Sequence, residues 1–114
     1  MIQIYHNSRC GKSRNCVALI EKTKREFEVI NYLTNPPTSD ELNSIIEKLK
    51  IKPIDLVRQK EKIWVDHVRD LHLNEQQIVQ AMVENPILIE RPIVILGDKA
   101  IMGRELENVI AFIS

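Results

Sequence analysis

Charge of one sign is missing from this chain. Sixteen Lys and Arg balance sixteen Asp and Glu over 114 residues, giving a formal net charge of zero. A general nucleic-acid binder carries a basic excess, so that class is set aside. Long hydrophobic runs are missing too, and no apolar stretch approaches the roughly 18 residues of a membrane span. The chain opens on the strand-like Ile2-Gln3-Ile4-Tyr5 without the layout of a signal peptide, and a cytoplasmic location is expected. Cysteine is scarce: only Cys10 and Cys16 occur. In a reducing compartment these are expected as free thiols, not as a structural bridge. No cluster has metal-ligand spacing, so neither a metal site nor a bound cofactor is expected. Internal repeats, low-complexity stretches and linkers are absent from the sequence as well. What is present is an ordinary globular composition, 44% hydrophobic and 28% charged. A chain of this length buries roughly two-thirds of the surface its unfolded form exposes. That suffices for one domain, residues 1–114, without staples, and a monomer is expected.

The order of elements is readable from pattern. Ile2 to Tyr5 reads as a strand, followed by the polar loop His6-Asn7-Ser8-Arg9-Cys10-Gly11. A helix is predicted from about Lys12 to Lys24, well buried around Cys16-Val17-Ala18-Leu19-Ile20. Glu28 to Leu33 is β-branched and aromatic and reads as a second strand, stopped by Asn35-Pro36-Pro37. Thr38 with Glu41, and Asn74 with Gln77, have capping-box spacing and predict two helix starts. Leu42, Ile45, Ile46 and Leu49 recur on one face of the first of these helices. The second runs through Val83 and is ended by Asn85-Pro86. Ile93-Val94-Ile95-Leu96 reads as a strand buried on both faces. Gly97-Asp98 suits a hairpin turn into a partner strand, Lys99 to Met102. Leu106, Val109, Ile110 and Ile113 mark a closing amphipathic helix. Strand–helix–strand, then strand–strand–helix, is the α/β arrangement of the thioredoxin-like mixed sheet (βαβ then ββα). The first half implies a right-handed parallel crossover. Residues 38–86, long for that fold, are expected to form a helical insert.

Cys10 is the candidate nucleophile. It sits just before a helix, where unpaired N–H groups carry partial positive charge, stabilise a thiolate and attract oxyanions. Arg9, Lys12 and Arg14 add charge nearby. A fall in thiol pKa from about 8.5 to about 6.5 would raise the thiolate fraction at pH 7 from roughly 3% to roughly 75%. Gly11, Lys12 and Ser13, in the first helical turn, are candidate oxyanion contacts, with Ser13 either a donor to thiolate or anion or a plain N-terminal helix residue. His6, at the end of the first strand, is either a residue that tunes that thiol or moves its proton, or a hydrogen-bonded structural histidine. Cys16, in an apolar helix centre, is expected to be a buried structural thiol. His67 and His72 are expected at the surface, and Trp64 as packing between insert and sheet.

Five segments carry a family resemblance. His6-Asn7-Ser8-Arg9-Cys10-Gly11-Lys12-Ser13-Arg14 resembles the nucleophile loop of the glutaredoxin-linked arsenate reductases. Tyr32-Leu33-Thr34-Asn35-Pro36-Pro37 resembles their segment after the second strand, and Leu56-Val57-Arg58-Gln59-Lys60-Glu61 the stretch holding a first anion-binding arginine. Asn85-Pro86-Ile87-Leu88-Ile89-Glu90-Arg91-Pro92-Ile93-Val94 resembles the segment with the second arginine and the cis proline, and Met102-Gly103-Arg104 that of the third. Glu105-Leu106 departs from the prolines that often follow there. The resemblance implies that Arg58, Arg91 and Arg104 converge with Cys10 on one tetrahedral oxyanion, which suits the planar fork of arginine. It also implies arsenate as substrate, glutathione as co-substrate and glutaredoxin as partner. Two other readings share parts of the pattern. Cys10-Gly11-Lys12-Ser13 has the outline of a monothiol glutaredoxin, some of which hold an iron–sulfur cluster. The Spx-type regulators, which bind RNA polymerase, share the fold but usually show a paired-cysteine switch that Ser13 interrupts.

Overall fold

The computed structural model describes all 114 residues. Its chain divides into two compact units, one of residues 1–35 with 91–114, the other of residues 36–90. No helix is long and apolar enough to cross a membrane.

The first unit carries the sheet. Its strands are β1 (Ile2–His6), β2 (Phe27–Asn31), β3 (Ile93–Leu96) and β4 (Lys99–Met102), in the order β2-β1-β3-β4. β1 pairs parallel with β2 and antiparallel with β3, and β3 pairs antiparallel with β4. The helices of this unit are α1 (Gly11–Lys22) and, at the end of the chain, α4 (Leu106–Ile113). The βαβ and ββα halves are thus both present. Ile2, Ile4 and Val94 from the sheet pack with Cys16 and Ile20 of α1 and Val109 and Ile113 of α4. The apolar run of β3 is buried nearly throughout, as its continuity predicts.

Several boundaries differ from the sequence pattern, each for a local reason. α1 stops at Lys22 because the Thr23 hydroxyl takes the Ile20 carbonyl and Lys24 turns left-handed at φ 60°. β2 stops at Asn31, whose carbonyl accepts the N–H groups of Thr34 and Asn35 at 3.1 and 2.9 Å in a tight turn. The middle of α1 is buried on one side only: Cys16 and Ile20 are fully covered, while Ala18 is exposed. On α4, Val109 and Ile113 are covered but Leu106 and Ile110 remain exposed. At the hairpin, Gly97 has φ 64°, a left-handed value that glycine adopts without strain.

The second unit is mainly helical. α2 (Ser39–Leu49) starts at Thr38 and α3 (Glu75–Glu84) at Asn74, and both capping boxes are formed. Each Ncap side chain accepts from the N3 amide, and the N3 side chain returns the bond, so two orphan donors are satisfied at once. Leu42, Ile45 and Ile46 of α2 and Ile78, Val79 and Met82 of α3 face inward. Trp64 is 5% exposed, in a π-helical turn at Trp64–Val68. His67 and His72 are exposed. Between the helices, the Arg58 amide donates to Leu88 O at 2.7 Å and the Glu90 amide to Leu56 O at 2.9 Å. These bonds flank an antiparallel bridge between Val57 and Ile89.

Candidate active site

The register of the sheet brings one end of three strands together. Tyr5 pairs with Ile93, so the loop after β1 starts beside the residues that precede β3. Ile93 pairs in turn with Met102, and the Gly103 amide donates to Pro92 O at 2.8 Å. The Cys10 loop, the cis Arg91–Pro92 pair and the Gly103–Arg104 turn therefore lie at the same end of the sheet. Gly103 has a steric reason to be glycine. A Cβ there would sit 3.0 Å from Cys16 Sγ, 3.0 Å from Pro92 Cγ and 3.2 Å from Val94 Cγ2.

Cys10 is the N-cap of α1, with φ −96° and ψ 122°. Its side chain makes no neutral capping hydrogen bond of the kind Thr38 makes. The thiolate is favoured nonetheless. Partial burial opposes ionisation, but it is outweighed by the Ser13 amide, a hydrogen bond from the Arg91 guanidinium, the Lys12 amide and the Arg91 charge, so the thiol pKa lies below that of ordinary cysteine. The helix terminus contributes as its position implies. Arg91 is the side-chain charge that acts on the sulfur directly. Arg9, Lys12 and Arg14 are exposed, and Arg14 donates to Ser8 O at 2.9 Å.

Ser13 is fully buried. Its hydroxyl accepts the Asn7 amide at 3.0 Å and shares a hydrogen bond with His6 Nδ1 at 2.6 Å, while its own amide serves the sulfur. Burial and the Arg14 charge lower the His6 pKa, against a raising bond with Ser13. His6 is therefore neutral at pH 7. Gly11 is exposed, and a Cβ there would meet only the Arg14 guanidinium at 3.6 Å. Burial pushes the Cys16 thiol up to about 11. Both cysteines are free thiols.

The three arginines have different surroundings. Arg91 is partly buried, and its Nε and Nη1 are covered without a hydrogen-bond partner. Buried donors left unpaired cost about 1–3 kcal/mol each, so an acceptor at this place is strongly favoured. Arg104 is exposed in the turn after β4. Arg58 belongs to the second unit, where Nε meets Glu61 Oε1 and Nη1 meets Glu90 Oε1, both at 3.2 Å. Sequence reasoning passes over Asn7, Glu61 and Glu90. Glu61, three residues after Arg58, was available as a helical-spacing signal. Asn7, two residues before the amide it binds, was available as a turn signal. Glu90 has no local signal.

Comparison with known proteins identifies the family. A model described as ArsC family matches residues 5–112. The Escherichia coli (strain K12) protein YfgD, described as uncharacterized, is 39% identical over 114 residues, covering 98% of this chain and 96% of that protein. An arsenate reductase of Neisseria meningitidis serogroup B is 37% identical over 110 residues, covering 95% of this chain and 94% of its own. The solved arsenate reductase of Vibrio cholerae matches with a TM-score of 0.90 at 36% identity, covering 96% of this chain and 95% of that one. Sheet order, nucleophile loop and relatives together place the chain in the ArsC family, beside arsenate reductases of thioredoxin-like fold.

Proposed function

We propose that this protein reduces arsenate to arsenite through the Cys10 thiolate, with glutathione and glutaredoxin as the reducing system. The observation that carries the reading is Arg91. One part of its guanidinium stabilises the Cys10 sulfur, while Nε and Nη1 are buried and unpartnered. A tetrahedral oxyanion next to the sulfur would accept from one of these nitrogens, which lie on different edges of the guanidinium plane. Arsenate fits this chemistry, and relatives about as similar as 37% identical are named arsenate reductases.

In this reading the thiolate attacks arsenic, an As–S bond forms, and one arsenic oxygen leaves as water after protonation. Arg91 holds the charge on the remaining oxygens during attack, with Arg104, in the turn at the same end of the sheet, as a further oxyanion donor. His6, neutral at pH 7, is suited to proton exchange, not to charge stabilisation. A glutathione thiol is then the second sulfur. As a sulfur–sulfur bond forms, the As–S electron pair stays on arsenic, which leaves as arsenite. Glutaredoxin reduces the resulting mixed disulfide. Such a cycle needs one redox-active cysteine in the chain, and Ser13 occupies the position a dithiol enzyme would use.

The test is arsenite release in the presence of glutathione and glutaredoxin. Wild type and Cys16→Ala should turn over, and Cys10→Ser should be folded and inactive. A wild type that reduces glutathione mixed disulfides but releases no arsenite would overturn the reading in favour of a glutaredoxin-like oxidoreductase.

A further inference from the structure

The stretch Asn7–Cys10 crosses from the end of β1 to the start of α1 without regular structure, yet one residue organises it. Asn7 is 2% exposed. Its amide donates to Ser13 Oγ at 3.0 Å, its carboxamide Oδ1 accepts the Arg9 amide at 2.9 Å, and its carbonyl accepts the Cys10 amide at 3.0 Å. The Oδ1 bond forms an Asx turn inside the β-turn that the Cys10 amide closes. The first bond ties this turn to the first turn of α1, because Ser13 is also the residue whose amide acts on the sulfur. One buried residue thus links the loop that carries the sulfur to the first turn of α1, its carboxamide fixing the Arg9 amide while its backbone holds Ser13 Oγ and the Cys10 amide.

We propose that Asn7 is a positioning residue for Cys10, holding the loop in the shape that aims the sulfur at the amides of Lys12 and Ser13 and at Arg91. It touches neither substrate nor sulfur and acts through the backbone of residues 9 and 10. The proposal rests on Cys10 being the reacting group of the preceding reading, but its test does not require arsenate.

The test compares Asn7→Ala with Asn7→Ser. Both replace the carboxamide by a small side chain, and only serine keeps an oxygen that can accept the turn amide. The primary readout is the pH midpoint of Cys10 alkylation by iodoacetamide, a neutral reagent, with the modified residue located by mass spectrometry. Cys16 is fully buried and stays silent. Asn7→Ala should raise the midpoint by about half to one pH unit, or roughly three- to tenfold less thiolate at pH values below the midpoint. Asn7→Ser should recover at least half of that shift, although both variants lose thermal stability to a similar degree. In the arsenate assay, kcat should fall with little change in KM, because the arginines are untouched. An unshifted midpoint in Asn7→Ala, or equal shifts in the alanine and serine variants, would overturn the proposal. Should the alanine variant fail to fold, the serine variant decides alone: a midpoint near that of wild type supports the proposal, and a shift of a full unit overturns it. A shifted alanine midpoint in a protein that releases no arsenite would sink the proposed activity and leave this inference standing.

Discussion

Replacing Arg91 by lysine keeps a positive charge and removes the planar fork, so it tests the oxyanion reading at its strongest point. Two effects are superimposed. Nε and Nη1 are buried without partners on different edges of the guanidinium, and a bound oxyanion would take a charge-assisted bond from one of them. A lysine ammonium is a point charge on a differently shaped stem and does not reproduce that directed donor. The loss of that bond, at about 1.5–3 kcal/mol, corresponds to roughly ten- to a hundredfold in kcat/KM. Arg91 also donates to the Cys10 sulfur, so the variant's thiol pKa should rise. The two effects separate on a pH axis. The thiol effect vanishes well above the alkylation midpoint of both proteins, where each is fully thiolate, and the oxyanion effect persists there. The assay is kcat/KM for arsenate across pH, with the iodoacetamide midpoint measured on the same samples. A deficit that disappears on the alkaline plateau would assign Arg91 to the sulfur alone and refute the oxyanion argument. Equal activity at every pH would remove both roles.

Two further outcomes concern the packing behind the site. Gly103→Ala forces a Cβ to 3.0 Å from both Cys16 Sγ and Pro92 Cγ. Overpacking of this kind costs about 1–3 kcal/mol, or roughly 4–12 °C in Tm for a domain of this size; adding Cys16→Ala should recover part of the loss, and calorimetry showing an unshifted Tm for Gly103→Ala would refute the close-packing account. The Cys16 thiol, pushed up to about 11, stays protonated in the fold where the unfolded chain ionises near 8.5. The unfolded state then binds fewer protons, so this group's stabilisation is complete below about pH 8.5 and falls by about 1.4 kcal/mol per pH unit above it. The Tm advantage of wild type over Cys16→Ala should narrow between about pH 8.5 and 10.5, and a constant difference would contradict the assigned burial. Cys10, shifted the other way, contributes stability that is lost as pH falls through its folded midpoint.

What could be read from the sequence was what is settled within a few residues. The capping boxes at Thr38 and Asn74 depend on a side chain and an amide three positions apart, and both formed. The β3 run and the Gly97-Asp98 hairpin are likewise local. The misread boundaries have local causes that pattern does not rank: Asn31 collects two amides and ends β2 early, and Lys24 turns left-handed where no glycine marks a stop. Exposure was less legible. Leu106 and Ile110 share the apolar spacing of Val109 and Ile113, yet the neighbours that cover a helix face are set by tertiary packing. The site divides in the same way. Position alone marked Cys10, because a helix start is a local field. The Arg91 charge was not legible there, since Arg9, Lys12 and Arg14 are near in sequence and Arg91 is near in space. Arg58, with no local sign of Glu90, gave no hint of its second carboxylate partner.

The interleaving of the two units has a consequence for the protein while it is being made. β1, β2 and α1 leave the ribosome early, but β3 follows only after the whole of residues 36–90. Chains grow from the N-terminus, and pairings between distant segments form late. A nascent chain that ends before residue 91 already carries Cys10 and the amides of α1, but it lacks the guanidinium that lowers the thiol further and the ladder that brings the Arg91 segment beside the Cys10 loop. Without Arg91 the sulfur is a less acidic thiol, so the full set of groups that lower its pKa is assembled only when residues 91–114 join the sheet.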